Sequence, residues 1–170
     1  MADGSAFDPY AIIAALERHR VGYVVIGGLA RVIHGADEIT HGLDVTPSLR
    51  DENLRRLSLA LADLGVEHGV GHSVGAALLE GDEPAVEVRT QAGQLRVVPH
   101  PAGTRRGYAD LRRAATREPI GKGLRPSVAS VGDLARMLAA LGRDDDLPRL
   151  RQLRRLAELE RGLSRAIFDR

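Results

Sequence analysis

The stretch "VGYVVIGGLARVIHG", residues 21–35, constrains this chain more than any other. Val24, Val25 and Ile26 behind Tyr23 form an apolar, β-branched run that favours a buried strand. Gly27 and Gly28 then turn the chain into a short helix, "LARVIHG". After the connection "DEITH" comes a second expected strand, residues 43–46 of "LDVTP", closed by Pro47. It carries a single carboxylate, Asp44. An acid in a buried strand is unfavourable unless something pairs with it, so Asp44 marks a place where the chain keeps, or once kept, partners for it.

The rest of the chain completes a mixed sheet with flanking helices. "DPYAIIAALERHR" reads as a helix with Asp8 as N-cap and Pro9 at its first position. "RDENLRRLSLALADLG" is amphipathic, with Leu54, Leu57, Leu61 and Leu64 at helical spacing and Gly65 as its stop. Residues 66–84, rich in glycine and polar groups, are expected to be loop with a short strand at most. "AVEVRT" and "QLRVVP" alternate around "QAG" and predict a β-hairpin. From "GYADLRRAA" onward the pattern is helical: Ser130 and Asp133 predict a capping box before "LARMLAAL", and Leu147, Leu150, Leu153, Leu156, Leu159 and Leu163 stripe a final helix. The expected fold class is α/β (α+β). Residues 1–104 form the α/β core, and residues 105–170 form a helical extension packed on it as one unit.

Composition narrows the function classes. With 170 residues the chain suits one compact domain. It has no cysteine, which excludes disulfides and thiolate metal sites. No apolar run reaches the roughly 20 residues that span a bilayer, and "MADGSAFDPY" lacks the features of a secretory leader, so the expectation is a cytoplasmic protein without membrane contact. The formal charge of +1 hides an asymmetry: residues 1–100 carry 8 basic and 14 acidic groups, residues 101–170 carry 16 and 9. Every basic group but Lys122 is arginine, which grips phosphate bidentately. The densest cluster is "RRGYADLRRA", with Arg105, Arg106, Arg112 and Arg113. It suits nucleotide or RNA phosphates, and equally a solvated face or an acidic neighbour. Five aromatic residues leave few candidates for base stacking. His68 and His72, four apart in "HGVGH", suggest metal ligation only if that segment is helical, and the glycines between them argue for a loop. No "GxSxG" elbow or "HExxH" helix supports an ordinary hydrolase.

The order strand, glycine pair, short helix, strand with carboxylate, helix, hairpin resembles the nucleotidyltransferase superfamily, particularly the AbiEii-like and MenT-type toxin enzymes. The matching pieces are "VVIGGLA", His34 with Gly35, Thr40, "LDVTP", "ENLRRL", "GYADL" and "VASVGDLARMLAALGRDDDL", across residues 21–155. The resemblance implies a nucleotide site in which Gly27 and Gly28 let the backbone approach a triphosphate. It also implies two acids one residue apart on the next strand, on one face because side chains alternate, holding Mg²⁺ with a third acid from a neighbouring strand. Asp44 falls on the second acid. The first falls on Gly42 and the third on Arg96; the family's basic residue before Thr40 falls on Glu38, its late-helix lysine on Leu138 or a neighbour, and Arg143 is kept while a following lysine becomes Asp145.

The implied nucleotide-binding residues are thus Gly27, Gly28, Thr40, Arg96 and Arg143, with Asp44 the remaining metal-side acid. One acid is too few for Mg²⁺, and an arginine at the third position replaces the cation's charge. The expectation is a nucleotidyltransferase-fold protein impaired in catalysis, acting as a nucleotide- or RNA-binding or regulatory module, with Arg96 free to pair with Asp44. Two alternatives stay open. In one, Asp44 and Glu87, with His41, hold Mg²⁺ for transfer of NMP from an NTP to a tRNA or protein acceptor, as in a toxin. In the other, the leucine-striped last helix serves a partner protein, as in a toxin-antitoxin pair, or a homo-oligomer.

Overall fold

The computed structural model describes residues 6–81 and 83–169, without the side chains of residues 68, 69 and 72. Helix α1 (Pro9–Arg18) opens as its sequence dictates: Asp8 accepts a hydrogen bond from the Ala11 amide at 3.2 Å, and Pro9 occupies a position where no N–H is needed. Strand β1 (Tyr23–Ile26) is buried at every residue and runs directly into α2 (Gly27–Ile33). The glycine pair therefore forms the first turn of that helix rather than a separate turn before it. Strand β2 (Gly42–Pro47) is longer than its expected 43–46, because Pro47 still lies opposite Tyr23 at the strand's end, where a missing N–H is tolerated. Helix α3 (Asp51–Asp63) buries Leu54, Leu57 and Leu61, as its periodicity requires.

The glycine-rich segment expected as loop is a helix, α4 (His68–Glu80), ended by Gly81 in the left-handed conformation. Its glycines serve packing. A Cβ on Gly71 would stand 2.8 Å from Ser58 Oγ of α3, so glycine is what allows the two helices to approach, while Val74 and Leu78, four apart, enter the core. The side chains of His68 and His72 lie outside the described residues.

The hairpin forms as expected, from β3 (Val86–Thr90) and β4 (Gly93–Val97). Beyond it, the expected all-helical stretch is interrupted. Helix α5 (Tyr108–Leu111) is one turn, and two short strands follow, β5 (Thr116–Arg117) and β6 (Ser127–Val128). Two-residue strands carry too little alternation for a periodicity signal. They extend the sheet: the order is β3-β4-β2-β1-β6-β5, with β4 parallel to β2, β2 antiparallel to β1 and β6 parallel to β1. Helix α6 (Val131–Leu141) is capped by Ser130, whose Oγ accepts from the Asp133 amide at 3.0 Å. The Asp133 carboxylate accepts instead from Arg136, so only half of the capping box forms.

A 3-10 turn (Asp144–Asp146) leads into α7 (Leu147–Phe168), which packs on α6 through Leu150 and Leu153. The outer half of α7 leaves the body: Leu159, Leu163, Ile167 and Phe168 are exposed. No helix among the described residues is long and apolar enough to cross a membrane.

The sheet has two unlike faces. Leu43, Val45, Val88, Leu95 and Val97 point into the single core, whereas the alternate positions Asp44, Glu87, Arg89, Gln94 and Arg96 are exposed or half-buried. Period-two geometry thereby collects the charged residues of three neighbouring strands on one surface.

Candidate functional site

Gly27 has φ +69, a left-handed conformation that glycine adopts without strain, and it sets the angle at which β1 becomes α2. Because Ile26 pairs with Asp44 across the β1–β2 ladder, that turn sits beside the Asp44 carboxylate. A Cβ on Gly27 would stand 2.5 Å from Asp44 Oδ2, and one on Gly28 2.9 Å from the Thr40 methyl. The space freed by the two glycines is thus taken up by the chain's own Asp44 and Thr40.

Asp44, Arg96 and Glu87 form one row across β2, β4 and β3: Asp44 pairs with Arg96 in the parallel ladder, and Arg96 with Glu87 in the hairpin. Arg96 Nη1 lies 3.9 Å from Asp44 Oδ2, a loose contact by a guanidinium that is itself about half exposed. Burial raises the Asp44 carboxyl above its ordinary value, and Glu87 adds to the rise; the charges of Arg96 and Arg31 pull the other way without cancelling it. Glu87 stands two strands from Asp44, on the order of 10 Å at the backbone. Gly42, on the same face as Asp44, has no side chain to offer, and a Cβ there would meet the Gln94 carbonyl oxygen at 3.1 Å. His41 is exposed next to it.

The donor set can be tested against the divalent ion that this row would hold in an active nucleotidyltransferase. Mg²⁺ takes near-octahedral oxygens at about 2.1 Å, so oxygens sharing one ion lie within roughly 4 Å of each other. One half-buried carboxylate, an empty position at Gly42 and a guanidinium between Asp44 and Glu87 do not fit. Among the described residues no group of three or more His, Asp or Glu side chains gathers as a metal site.

Beside the row runs a chain of ion pairs that the sequence reading missed. Arg31 donates to Glu38 twice, at 2.6 and 3.0 Å, and both side chains are 12% exposed. Arg149 reaches the same Glu38 at 3.2 Å and Asp146 at 3.0 Å, and Arg143 donates to Asp146 at 2.6 Å. Burial of Asp146 opposes its ionisation, but the hydrogen bonds and charges of Arg143 and Arg149 outweigh it and hold the carboxyl below its ordinary range. Glu38 is therefore the acid that ties α2 to α7. Arg143 is committed to Asp146, at the far end of the chain of pairs from Gly28. The three-residue spacing of Arg143, Asp146 and Arg149 was a legible signal; the meeting of Glu38 with Arg149 was not. His34 Nε2 donates to the Ala129 carbonyl at 2.8 Å and fastens α2 to the entry of α6.

No protein-family model matches the sequence, and no curated protein is significantly similar to it. Among solved structures, the fold is similar to that of "a putative nucleotidyltransferase (TM1012) from Thermotoga maritima", with a TM-score of 0.54 and 16% identity over 83% of this chain and 86% of that one. At that identity the likeness concerns the backbone alone: the mixed sheet and flanking helices make a nucleotidyltransferase-like fold.

Proposed function

We propose that this chain uses a nucleotidyltransferase-like fold to hold the phosphates of a nucleotide or RNA, without efficient transfer, as a cytoplasmic binding or regulatory module. The observation that carries this reading is Arg96, placed in register between Asp44 and Glu87. A permanent cation there supplies charge toward phosphate oxygens in place of a metal and keeps the two acids apart. The order of motifs along the chain supports kinship with the AbiEii-like and MenT-type enzymes.

The experiment is nucleotide titration with and without Mg²⁺, together with a labelled-NMP transfer assay on the purified chain. Binding should be independent of Mg²⁺ and weaken with salt. Arg96→Glu should weaken it at least about tenfold, as expected for loss of a charge-assisted contact. Metal-dependent labelling of a tRNA or protein acceptor, abolished by Asp44→Ala, would overturn the proposal in favour of an active Mg²⁺ and NTP enzyme using Asp44 and Glu87. A second reading, self-association or docking of a partner protein, is favoured by the exposed stripe of Leu159, Leu163 and Ile167 on α7. Sedimentation of the wild type against Leu163→Arg tests it, and a monomer at every concentration would end it.

A further inference from the structure

The ends of β1 and β2 away from Asp44 border a different kind of place. A cavity of about 390 Å³ opens where β2 passes through Ser48 and Leu49 into α3 and where β4 passes through Pro99 and His100 toward α5. Gly22 lies at this end and Gly27 at the other, so about 17 Å of strand separates the cavity from the Asp44 row. Its floor is rigid for a local reason. Asn53 of α3 accepts from the Gly22 amide at 2.6 Å and donates to the Gly22 and Ser48 carbonyls at 2.9 and 2.7 Å, locking the start of β1 to the exit of β2.

Five arginines line the cavity, Arg20, Arg50, Arg56, Arg106 and Arg112, against a single acidic residue, Glu52. Glu52 is engaged by Arg56, and Arg106 is held by Asp110. Arg20, Arg50 and Arg112 make no ion pair among the described residues, and Arg112 lies over the Tyr108 ring at 6.0 Å. Like charges gathered from three separate segments repel one another, and an anion is what removes that repulsion. Arg50 also stands at the N-cap of α3 with no side chain capping the helix, so the first backbone N–H groups of the helix are open at this wall beside the first-turn acids Asp51 and Glu52. The volume exceeds what a bare phosphate fills and falls in the range of small-ligand pockets, about 300–1,000 Å³. Pro47, Leu49, Pro99 and Ala109 supply an apolar side for the remainder of a ligand.

We propose that this cavity binds a terminal phosphate monoester carried on a nucleotide, with the Arg20, Arg50 and Arg112 guanidiniums on the phosphate and Tyr108 with the apolar wall beside the nucleoside. The site is independent of the Asp44 row. A free 5′-nucleotide and the 5′ end of an RNA share this chemistry.

The test titrates the full chain with AMP and with a labelled RNA pentamer bearing either a 5′-phosphate or a 5′-hydroxyl, and repeats it on Arg50→Gln/Arg112→Gln and on the milder Arg20→Gln. These arginines are exposed and unpaired, so the variants should melt with the wild type. The phosphorylated probe should bind at least about tenfold more tightly than the hydroxyl probe, and the double variant should lose that preference. Binding of AMP alone, or of the RNA alone, identifies the source. Equal binding of both pentamers, affinity unchanged in the double variant, or no binding of any probe overturns the proposal. Loss of the preference for the 5′-phosphate with Arg96→Gln, while the double variant keeps it, would assign the terminal phosphate to the Gly27 end and overturn the proposal too.

Discussion

The two ends of β1 and β2 treat charge in opposite ways. At the Gly27 end, acids and bases are matched into a chain: Arg31 with Glu38, Glu38 with Arg149, Asp146 with Arg149 and Arg143, and Asp44 faced by Arg96. At the Gly22 end, five arginines meet one glutamate. The first end balances its charge from within, whereas at the second the positive groups that line the cavity outnumber the acids. Within one sheet, matched charge and unmatched charge thus lie about 17 Å apart, at opposite ends of the same strands.

The sharpest way to break this contrast is to remove the acid that closes the chain of pairs. Asp146→Asn should cost about 2–3 kcal/mol in urea melts at pH 7, because a buried carboxylate loses its charge-assisted hydrogen bonds from Arg143 and Arg149 while those arginines, largely exposed, stay solvated. The folded Asp146 carboxyl lies below its ordinary value of 3.8, so its stabilisation is present above that value and lost as pH falls through the lowered one. The gap between wild type and variant should close in strong acid. A gap that is the same at every pH would mean that Asp146 acts through packing, not charge.

A smaller effect is expected at the glycine turn. Gly27→Ala should destabilise by about 2 kcal/mol, from its positive φ and from the approach of the new Cβ to Asp44 Oδ2. In an Asp44→Gly background the second cause disappears, and roughly 1 kcal/mol should remain. Strict additivity in that double-mutant cycle would show that the carboxylate does not rest on the turn.

The smallest effect has the opposite sign. Burial raises the Asp44 carboxyl, so its ionised form opposes folding above the raised value, and this penalty fades as pH falls toward 3.8, below which both states are protonated. Asp44→Asn should therefore raise Tm at pH 7 by about 2–4 °C, with the gain shrinking in acid. A lowered Tm would show that Arg96 and Arg31 compensate the charge more fully than their geometry implies.

Much of this architecture was legible in the residues. The Asp8-Pro9 start of α1, the leucine spacing of α3, the alternation of the hairpin and the Ser130 cap of α6 are local features, and local propensity decided each of them. Segment 66–84 misled because glycine signals flexibility when considered by itself. In α4 it signals closeness, and only Ser58 on a neighbouring helix makes that closeness necessary. Strands β5 and β6 were hidden because two residues hold no period; their pairing to one another and to β1 defines them.

At the site, the sequence by itself determined the ingredients: a glycine pair, a single acid on β2 and an arginine on β4. It also determined that charge is lopsided between the two halves of the chain. Which charges from distant segments meet was decided by tertiary structure alone. Glu38 finds Arg149 from the basic half and is neutralised, while Arg20, Arg50 and Arg56 of the acidic half join Arg106 and Arg112 around one cavity. The physical reason is that electrostatic energy depends on separation in space and on screening by the surroundings, and neither is set by separation along the chain.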